Sequence, residues 1–382
     1  MTASQPEERT DFADGSVRIT PAVNDATSYP VTIAAGALAE LSGIAPRVAP
    51  AACYAIIADD RVATLHGSTA RTALRAAART ELLTFPAGEA SKTRETWSRL
   101  TDELLVLGVA RDGCIVALGG GVTGDLAGFV AATYLRGIPL IQVPTSLLAM
   151  IDASVGGKAG VDVAAGKNLV GAFHQPRAVV IDPDVLRTLP DAQLRAGLAE
   201  AVKHGAIADA AYLENIGRSA ADLLAREGDT LDALIRRSIA IKADVVAADP
   251  LERGRRAILN FGHTIGHAIE RASAYSVQHG FAVAIGMVVE AKIGEAFGVT
   301  DPGTADAIVE ALRAVGLPTS MPLDLAPVGI IAATRADKKV RDDRVRYALL
   351  ARPGEPTRDP AGDWTLAVPD DIVTDVLQAS HA

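Results

Sequence analysis

Residues 114–125 read Cys114-Ile115-Val116-Ala117-Leu118-Gly119-Gly120-Gly121-Val122-Thr123-Gly124-Asp125. The first five are apolar and strand-like, and the glycine run that follows opens onto a helix-like stretch at 126–133. A strand, a glycine-rich turn and a helix start together make a phosphate cradle. Glycines let backbone N–H groups approach oxygens, and the helix N-terminus adds roughly half a positive charge. The spacing is not GxGxxG, and a tight turn in any α/β protein is the competing reading. Outward from this turn, short β-branched runs alternate with amphipathic stretches. Strands are expected at 17–20, 29–33, 53–58, 82–85, 114–118, 138–143 and 178–181, with helices at 67–79 and 93–107. Such alternation implies a largely parallel sheet covered on both faces.

After Thr188-Leu189-Pro190 the texture changes. Helices are expected at 192–205, 210–226, 231–248, 256–272, 280–297 and 302–315, and strand signals nearly vanish until 345–350. The expected organisation is a disordered tail at 1–16, an α/β domain at 17–188 and a mainly α-helical domain at 189–382.

Composition narrows the function classes. The 382 residues are 49% hydrophobic but only 4% aromatic, so the cores must be built from closely packed aliphatic side chains. A net charge of −9 argues against a nucleic-acid surface, and an anionic ligand must be caught by a local basic cluster. Cys53 and Cys114, the two cysteines, sit in apolar runs and read as buried hydrophobes, not as a disulfide framework or a metal site. No run approaches the length of a membrane helix, and the N-terminal residues are polar and acidic without an apolar signal core. A cytoplasmic protein with no membrane or nucleic-acid partner is expected.

A second loop, Pro86-Ala87-Gly88-Glu89-Ala90-Ser91-Lys92, lies at the same carboxyl edge of the inferred sheet, where open α/β folds bind ligands. Asp59 ends another strand at that edge. Glu89 can accept from ribose hydroxyls and Lys92 can offer charge to phosphate, although capping and pairing at a helix start explain both residues equally simply.

Three of the seven histidines fall within 263–279. His263 and His267 share one helix face, and His279 stands in Gln278-His279-Gly280. The motif is not HExxH, since position 264 is Thr, so the metalloprotease reading lacks its base. A carboxylate from elsewhere would complete a His-His-Glu site with an open position. Glu200 is the best candidate, because its small apolar neighbours make an unpaired charge costly. Lys203 follows one turn on. Structural hydrogen bonding of the histidines is the alternative. Lys158, Lys167-Asn168, Lys242, Arg256 and Lys338-Lys339 are oddly placed for solvated cations. Each alone reads as surface or salt bridge, but jointly they suit a ligand with both carboxylate and phosphate.

Five stretches, GGGVTGDLAGFVAATYLRG, VPTSLLAMIDASVGGKAGVD, GKNLVGAFHQP, AEAVKHG and NFGHTIGHAIE, in that order, resemble the dehydroquinate synthases among the sugar phosphate cyclases, over about residues 50 to 340. The resemblance implies a Rossmann-like α/β N-terminal parallel-sheet domain followed by a mainly α-helical C-terminal domain. It implies a lyase using NAD and Zn2+ or Co2+, with metal ligands Glu200, His263 and His279. NAD would meet Asp59, Glu89, Lys92, Gly120, Gly121, Val122, Thr123, Gly124, Asp125, Thr145, Ser146, Lys158, Lys167, Val185, Leu186, Arg187 and Thr188. Substrate would be held by Asp152, Lys158, Asn168, Lys203, Lys242, Arg256, Asn260, His267 and one of Lys338 and Lys339. Arg136 is similar to an arginine lent across a homodimer interface.

The implied reaction takes 3-deoxy-D-arabino-heptulosonate 7-phosphate through transient oxidation, loss of phosphate, return of the hydride, ring opening and an intramolecular aldol. His267 would handle protons, unless the substrate phosphate takes the C6 proton itself. Where such enzymes usually carry His-Gly-Glu, this chain has His279-Gly280-Phe281, which puts a contact beside the metal ligand in doubt. Thr145-Ser146 replaces a common Thr-Thr. Competing expectations are a cyclase for sedoheptulose 7-phosphate or an amino analogue, a metal-dependent polyol dehydrogenase, and a paralogue that binds without catalysis.

Overall fold

The structure, a computed structural model, describes residues 17–19, 28–335, 340–341 and 344–380. The expected tail at 1–16 and the pair Lys338-Lys339 lie outside the described residues. The chain divides into two compact units, Met1–Leu189 and Pro190–Ala382.

The first unit is built on a seven-stranded sheet. In chain order its strands are β1 (Val17–Ile19), β2 (Tyr29–Ile33), β3 (Cys53–Asp59), β4 (Arg79–Phe85), β5 (Gly113–Gly119), β6 (Leu140–Pro144) and β9 (Ala178–Ile181). They lie in the order β1-β2-β9-β6-β5-β3-β4. Only the β1–β2 pair is antiparallel; β2, β9, β6, β5, β3 and β4 run parallel. Its helices are α1 (Leu41–Val48), α2 (Asp60–Val62), which runs on through Ala63–Gly67 into α3 (Ser68–Arg75), α4 (Arg94–Val106) and α5 (Gly121–Thr133). The core packs aliphatic residues such as Ile57, Leu83, Ile115, Leu126 and Val130. From β3 the chain steps outward to β4, then returns to place β5 on the other side of β3. The carboxyl ends of β3 and β5 therefore flank a topological switch point, where an open α/β sheet has a ligand crevice.

Sequence pattern and structure part in three places here. The helix expected over 67–79 stops at Arg75, and β4 begins at Arg79, because Cys53 to Asp59 offers seven consecutive partners for Arg79 to Phe85. The strand expected at 138–143 runs Leu140–Pro144. Residues 158–173, where no strand was expected, form an antiparallel hairpin of β7 (Lys158–Val163) and β8 (Gly166–Phe173) outside the main sheet. Cys53 and Cys114 are free and buried, and burial pushes the Cys114 thiol up to about 12.

The second unit is helical: α6 (Asp191–Ala208), α7 (Ala210–Arg218), α8 (Ala220–Ala225), α9 (Gly228–Ala248), α10 (His263–Ala272), α11 (His279–Phe297), α12 (Thr304–Ala314), α13 (Pro327–Arg335) and, after short strands between 340 and 367, α14 (Asp370–Ala379). The helix expected over 210–226 is broken at Ser219. The one expected over 256–272 is also two pieces. Arg255–Asn260 is a 3-10 turn, and Gly262 at φ +79 redirects the chain so that α10 starts at His263. Only glycine takes that backbone conformation cheaply. The expected strand at 345–350 is divided between Arg344–Tyr347 and Leu350–Arg352. Among the described residues no helix is long and apolar enough to cross a membrane.

Few aromatics fill this unit, so its helices approach backbone to backbone. A Cβ on Gly286 of α11 would stand 2.0 Å from the Gly262 carbonyl oxygen, and one on Gly280 would stand 2.4 Å from Ala196 Cα of α6. Neither obstacle is a flexible side chain. Gly286→Ala is therefore expected to destabilise the protein by about 1–3 kcal/mol or more through overpacking. Its melting temperature and metal content should fall together, and a variant that melts like the parent would disprove the close approach.

Candidate active site

Glu200 sits mid-way along α6, where residues 196–207 are all buried, and is only 1% exposed. A carboxylate there must be paired. Three groups meet it. Lys203, one turn on, is ion-paired with its Oε2. His263 Nε2 and His279 Nε2 each lie 3.6 Å from its Oε1. The imidazoles arrive as the first residues of α10 and α11.

The ligand atoms of Glu200, His263 and His279 all lie within 4.8 Å of one another. Two nitrogens and one carboxylate oxygen held at about 2.1 Å in a tetrahedron would be about 3.4 Å apart, so the donor set fits a divalent ion with a position to spare. Both rings have their other nitrogen committed. His263 Nδ1 faces the Phe261 carbonyl oxygen at 3.2 Å, and His279 Nδ1 faces Glu270 Oε2 at 3.1 Å. Each acceptor requires a proton on Nδ1, so that in the neutral ring Nε2 is the nitrogen left to ligate.

The two rings differ electrostatically. Burial, reinforced by the Lys203 charge, holds His263 well below the usual imidazole range. Burial opposes charging of His279 too, but hydrogen bonds and charges from Glu200 and Glu270 outweigh it and push it up to about 10. His267 stands beside them, its ring centroid 5.4 Å from that of His263 and edge-on to it.

The start of α10 is held from outside. Gly262 has no side chain to cap it. Glu290 of α11, fully buried, accepts from Gly262 N at 2.8 Å and Ile265 N at 3.0 Å. Sequence reasoning passed over Glu270 and Glu290. Their signal was an acidic residue inside an otherwise apolar helical run.

Among the other expected substrate residues, Lys242 on α9 is 6% exposed and Arg256 is 1% exposed. The 3-10 turn that carries Arg256 and half-buried Asn260 packs against α6 and α9. Asp249 fastens the preceding loop, accepting from the backbone N–H groups of Arg253, Gly254 and Arg256 at 2.7–3.0 Å. Arg256 Nη1 donates to the Pro250 carbonyl oxygen at 3.0 Å.

In the first unit β5 ends at Gly119, Gly120 is extended, and α5 begins at Gly121 with no side chain capping its start. Its first N–H groups thus have no side-chain cap. Thr145 N donates to the Gly119 carbonyl oxygen, and a Cβ on Gly120 would meet Ser146 Oγ at 3.4 Å, so 145–146 brace the turn. A Cβ on Gly119 would stand 2.2 Å from Thr123 Oγ1. Asp59 spends its carboxylate capping α2 at Val62 N, while Asp60 Oδ1 accepts from Ala87 N of the loop after β4.

Lys92 and Asp125, assigned above to NAD, and Asn168, assigned to substrate, meet at the Lys92 ammonium. Lys92, 3% exposed, donates to Asp125 Oδ2 at 2.6 Å and to Asn168 Oδ1. Burial lowers the Lys92 pKa, but Asp125 and Glu89 more than restore it and leave it raised. Burial likewise raises Glu89, against the pull of Lys92 and Lys167; Lys167 lies 3.9 Å from its carboxylate.

Asp152 is half-buried in the turn Ala149–Ala153, and Lys158 is exposed at the start of β7. Val185 and Leu186 point into the core, so only their backbone and the exposed Arg187 and Thr188 are available to a ligand. Arg136 is exposed at the end of a turn in which Leu135, Arg136 and Gly137 all have positive φ.

Solved structures with the same architecture include sugar phosphate cyclases. A 2-deoxy-scyllo-inosose synthase complexed with carbaglucose-6-phosphate, NAD+ and Co2+ superposes with a TM-score of 0.88 at 29% identity, over 96% of this chain and all of that one. The 2-epi-5-epi-valiolone synthase of Streptomyces hygroscopicus, with NAD+ and Zn2+ bound, gives 0.79 at 26% identity, over 92% of this chain and 96% of that one.

Residues 82–196 match the 3-dehydroquinate synthase N-terminal family and residues 197–340 the 3-dehydroquinate synthase C-terminal family. The 3-dehydroquinate synthase of Symbiobacterium thermophilum is 46% identical over 330 residues, 86% of this chain and 92% of the relative. That of Xanthomonas campestris is 46% identical over 337 residues, 86% and 90%. The chain belongs to the 3-dehydroquinate synthase family.

Proposed function

We propose that the protein is an NAD- and divalent-metal-dependent phosphorus–oxygen lyase that converts 3-deoxy-D-arabino-heptulosonate 7-phosphate to 3-dehydroquinate and phosphate. The convergence of Glu200, His263 and His279, in a chain of this family, is the observation that carries the reading. Bound there, Zn2+ or Co2+ supplies Lewis acidity, and NAD+ supplies a hydride acceptor that is regenerated within the cycle.

The chain's own residues bind, orient and move protons. The Gly120–Asp125 turn takes the pyrophosphate, with Asp59, Glu89, Lys92, Thr145, Ser146, Lys158, Lys167 and the 185–188 segment completing the nucleotide site. Lys203, Lys242 and Arg256 set positive charge where carboxylate, enolate and departing phosphate develop. Asp152, Asn168, Asn260 and one of Lys338 and Lys339 fix the substrate. His267, whose ring stands beside those of His263 and His279, carries the proton. A homodimer is the working assembly, in which exposed Arg136 reaches the substrate phosphate of a second copy.

The likeness to 2-deoxy-scyllo-inosose synthase favours a second reading, a cyclase for a substrate without a carboxylate. The 46% identity to 3-dehydroquinate synthases and the presence of Arg256 and Asn260 support the carboxylate-bearing substrate. Pure protein given the heptulosonate phosphate, NAD+ and Zn2+ is expected to release phosphate without accumulating NADH. Steady NADH production would mark a dehydrogenase, and no phosphate a different substrate.

A further inference from the structure

Glu270 is buried on the last turn of α10, 5% exposed, and its carboxylate meets His279 across the gap to α11. Phe281 brings no charge to that end of α11. We infer that Glu270 is a positioning residue for the metal site: it fixes His279 in the tautomer and ring orientation that aim Nε2 at the ion. This rests on the proposed metal ligand set.

The geometry argues for it in three steps. An ionised carboxylate only accepts hydrogen bonds, so at 3.1 Å it requires the proton on His279 Nδ1. In the neutral ring the lone pair is then on Nε2, the atom 3.6 Å from Glu200 Oε1. His279 is also the ligand that most needs fixing. Its side chain is 37% exposed, against 12% for His263, so packing restrains it less. His263 has a neutral carbonyl behind its Nδ1, whereas His279 has a charged one-turn neighbour of His267. A carboxylate behind an imidazole makes it a stronger donor than a carbonyl does.

The rival role for the same residue is direct ligation. His267, Glu270 and His279 also bring their donor atoms within 4.8 Å of one another. Filling both sets at once would require His279 to bridge two ions as an imidazolate, which costs a second deprotonation. Positioning requires no such step.

The test is zinc affinity of the full-length protein, measured by competition with a chromogenic metal indicator, for the parent, E270Q and E270A. Loss of an acceptor behind a ligating histidine costs about 10- to 100-fold in metal affinity. E270A is expected near the upper end. E270Q, which keeps an uncharged acceptor of the same shape, is expected nearer the lower end, with a metal-free melting temperature like the parent's. Parental affinity in both variants overturns the inference while leaving the ligand set standing. A parent that binds two ions per chain, with E270A binding one, also overturns it, in favour of ligation. A parent that binds no stoichiometric zinc overturns both readings. If both variants lose affinity only because their metal-free forms no longer fold, Glu270 is structural and the inference fails.

Discussion

Glu200→Ala and His263→Ala are each expected to leave the protein without stoichiometric metal and to take phosphate release below detection. A divalent site with three protein donors loses one of its few strong bonds in either variant. The remaining two cannot hold the ion against water. Glu200→Ala carries a complication, because Lys203, 1% exposed, would then be buried without its carboxylate. Removing one partner of a buried pair is itself strongly destabilising, by about 3–5 kcal/mol. Glu200→Gln avoids that, since the amide keeps the shape and an acceptor for Lys203 while giving up the anionic oxygen. Metal content by elemental analysis, alongside circular dichroism, separates the two causes. One ion per folded Glu200→Gln or His263→Ala chain would remove that residue from the ligand set.

Arg256→Ala should lower kcat/KM by an amount equivalent to about 2–5 kcal/mol, the usual effect of truncating one side of a buried charge pair. The prediction is clean because of how the loop is built. Asp249 holds the 253–256 backbone through N–H groups, and those bonds survive removal of the Arg256 side chain. The losses include the guanidinium, its bond to the Pro250 carbonyl oxygen and its positive charge near Asp249. Arg256→Lys restores charge but not the planar fork, so it should recover only part of the loss. An unchanged kcat/KM in Arg256→Ala would exclude the residue from substrate binding.

The parallel sheet was legible because both faces of its strands are covered, and such strands read as unbroken apolar runs. Cys114 to Leu118 is the clearest, and all five residues are buried. Glu200 could be read for the complementary reason, since a carboxylate among Gly197, Leu198, Ala199, Ala201 and Val202 has no solvent to face. Helix boundaries were less legible. Periodicity alone carried the α10 pattern back to 256. The start at His263 is set by the left-handed Gly262 and by Glu290, a residue far along the chain that no local pattern reveals. Strands β7 and β8 stayed hidden because a hairpin with half-exposed faces leaves only weak alternation among glycines and lysines. Lys92 and Asn168 were legible as candidate ligand contacts but not as partners, because their contact joins a loop to that hairpin.

The backbone lock between α10 and α11 has a kinetic consequence. Gly262 and Gly286 touch without intervening side chains, and Glu290 ties the two helices together. Both imidazole-bearing helix starts are thus in place once the polypeptide has folded, so their disorder is lost during folding and not at ion capture. Uptake should then be a single fast phase, limited by encounter and by shedding of hydration water, with no slow rearrangement following it.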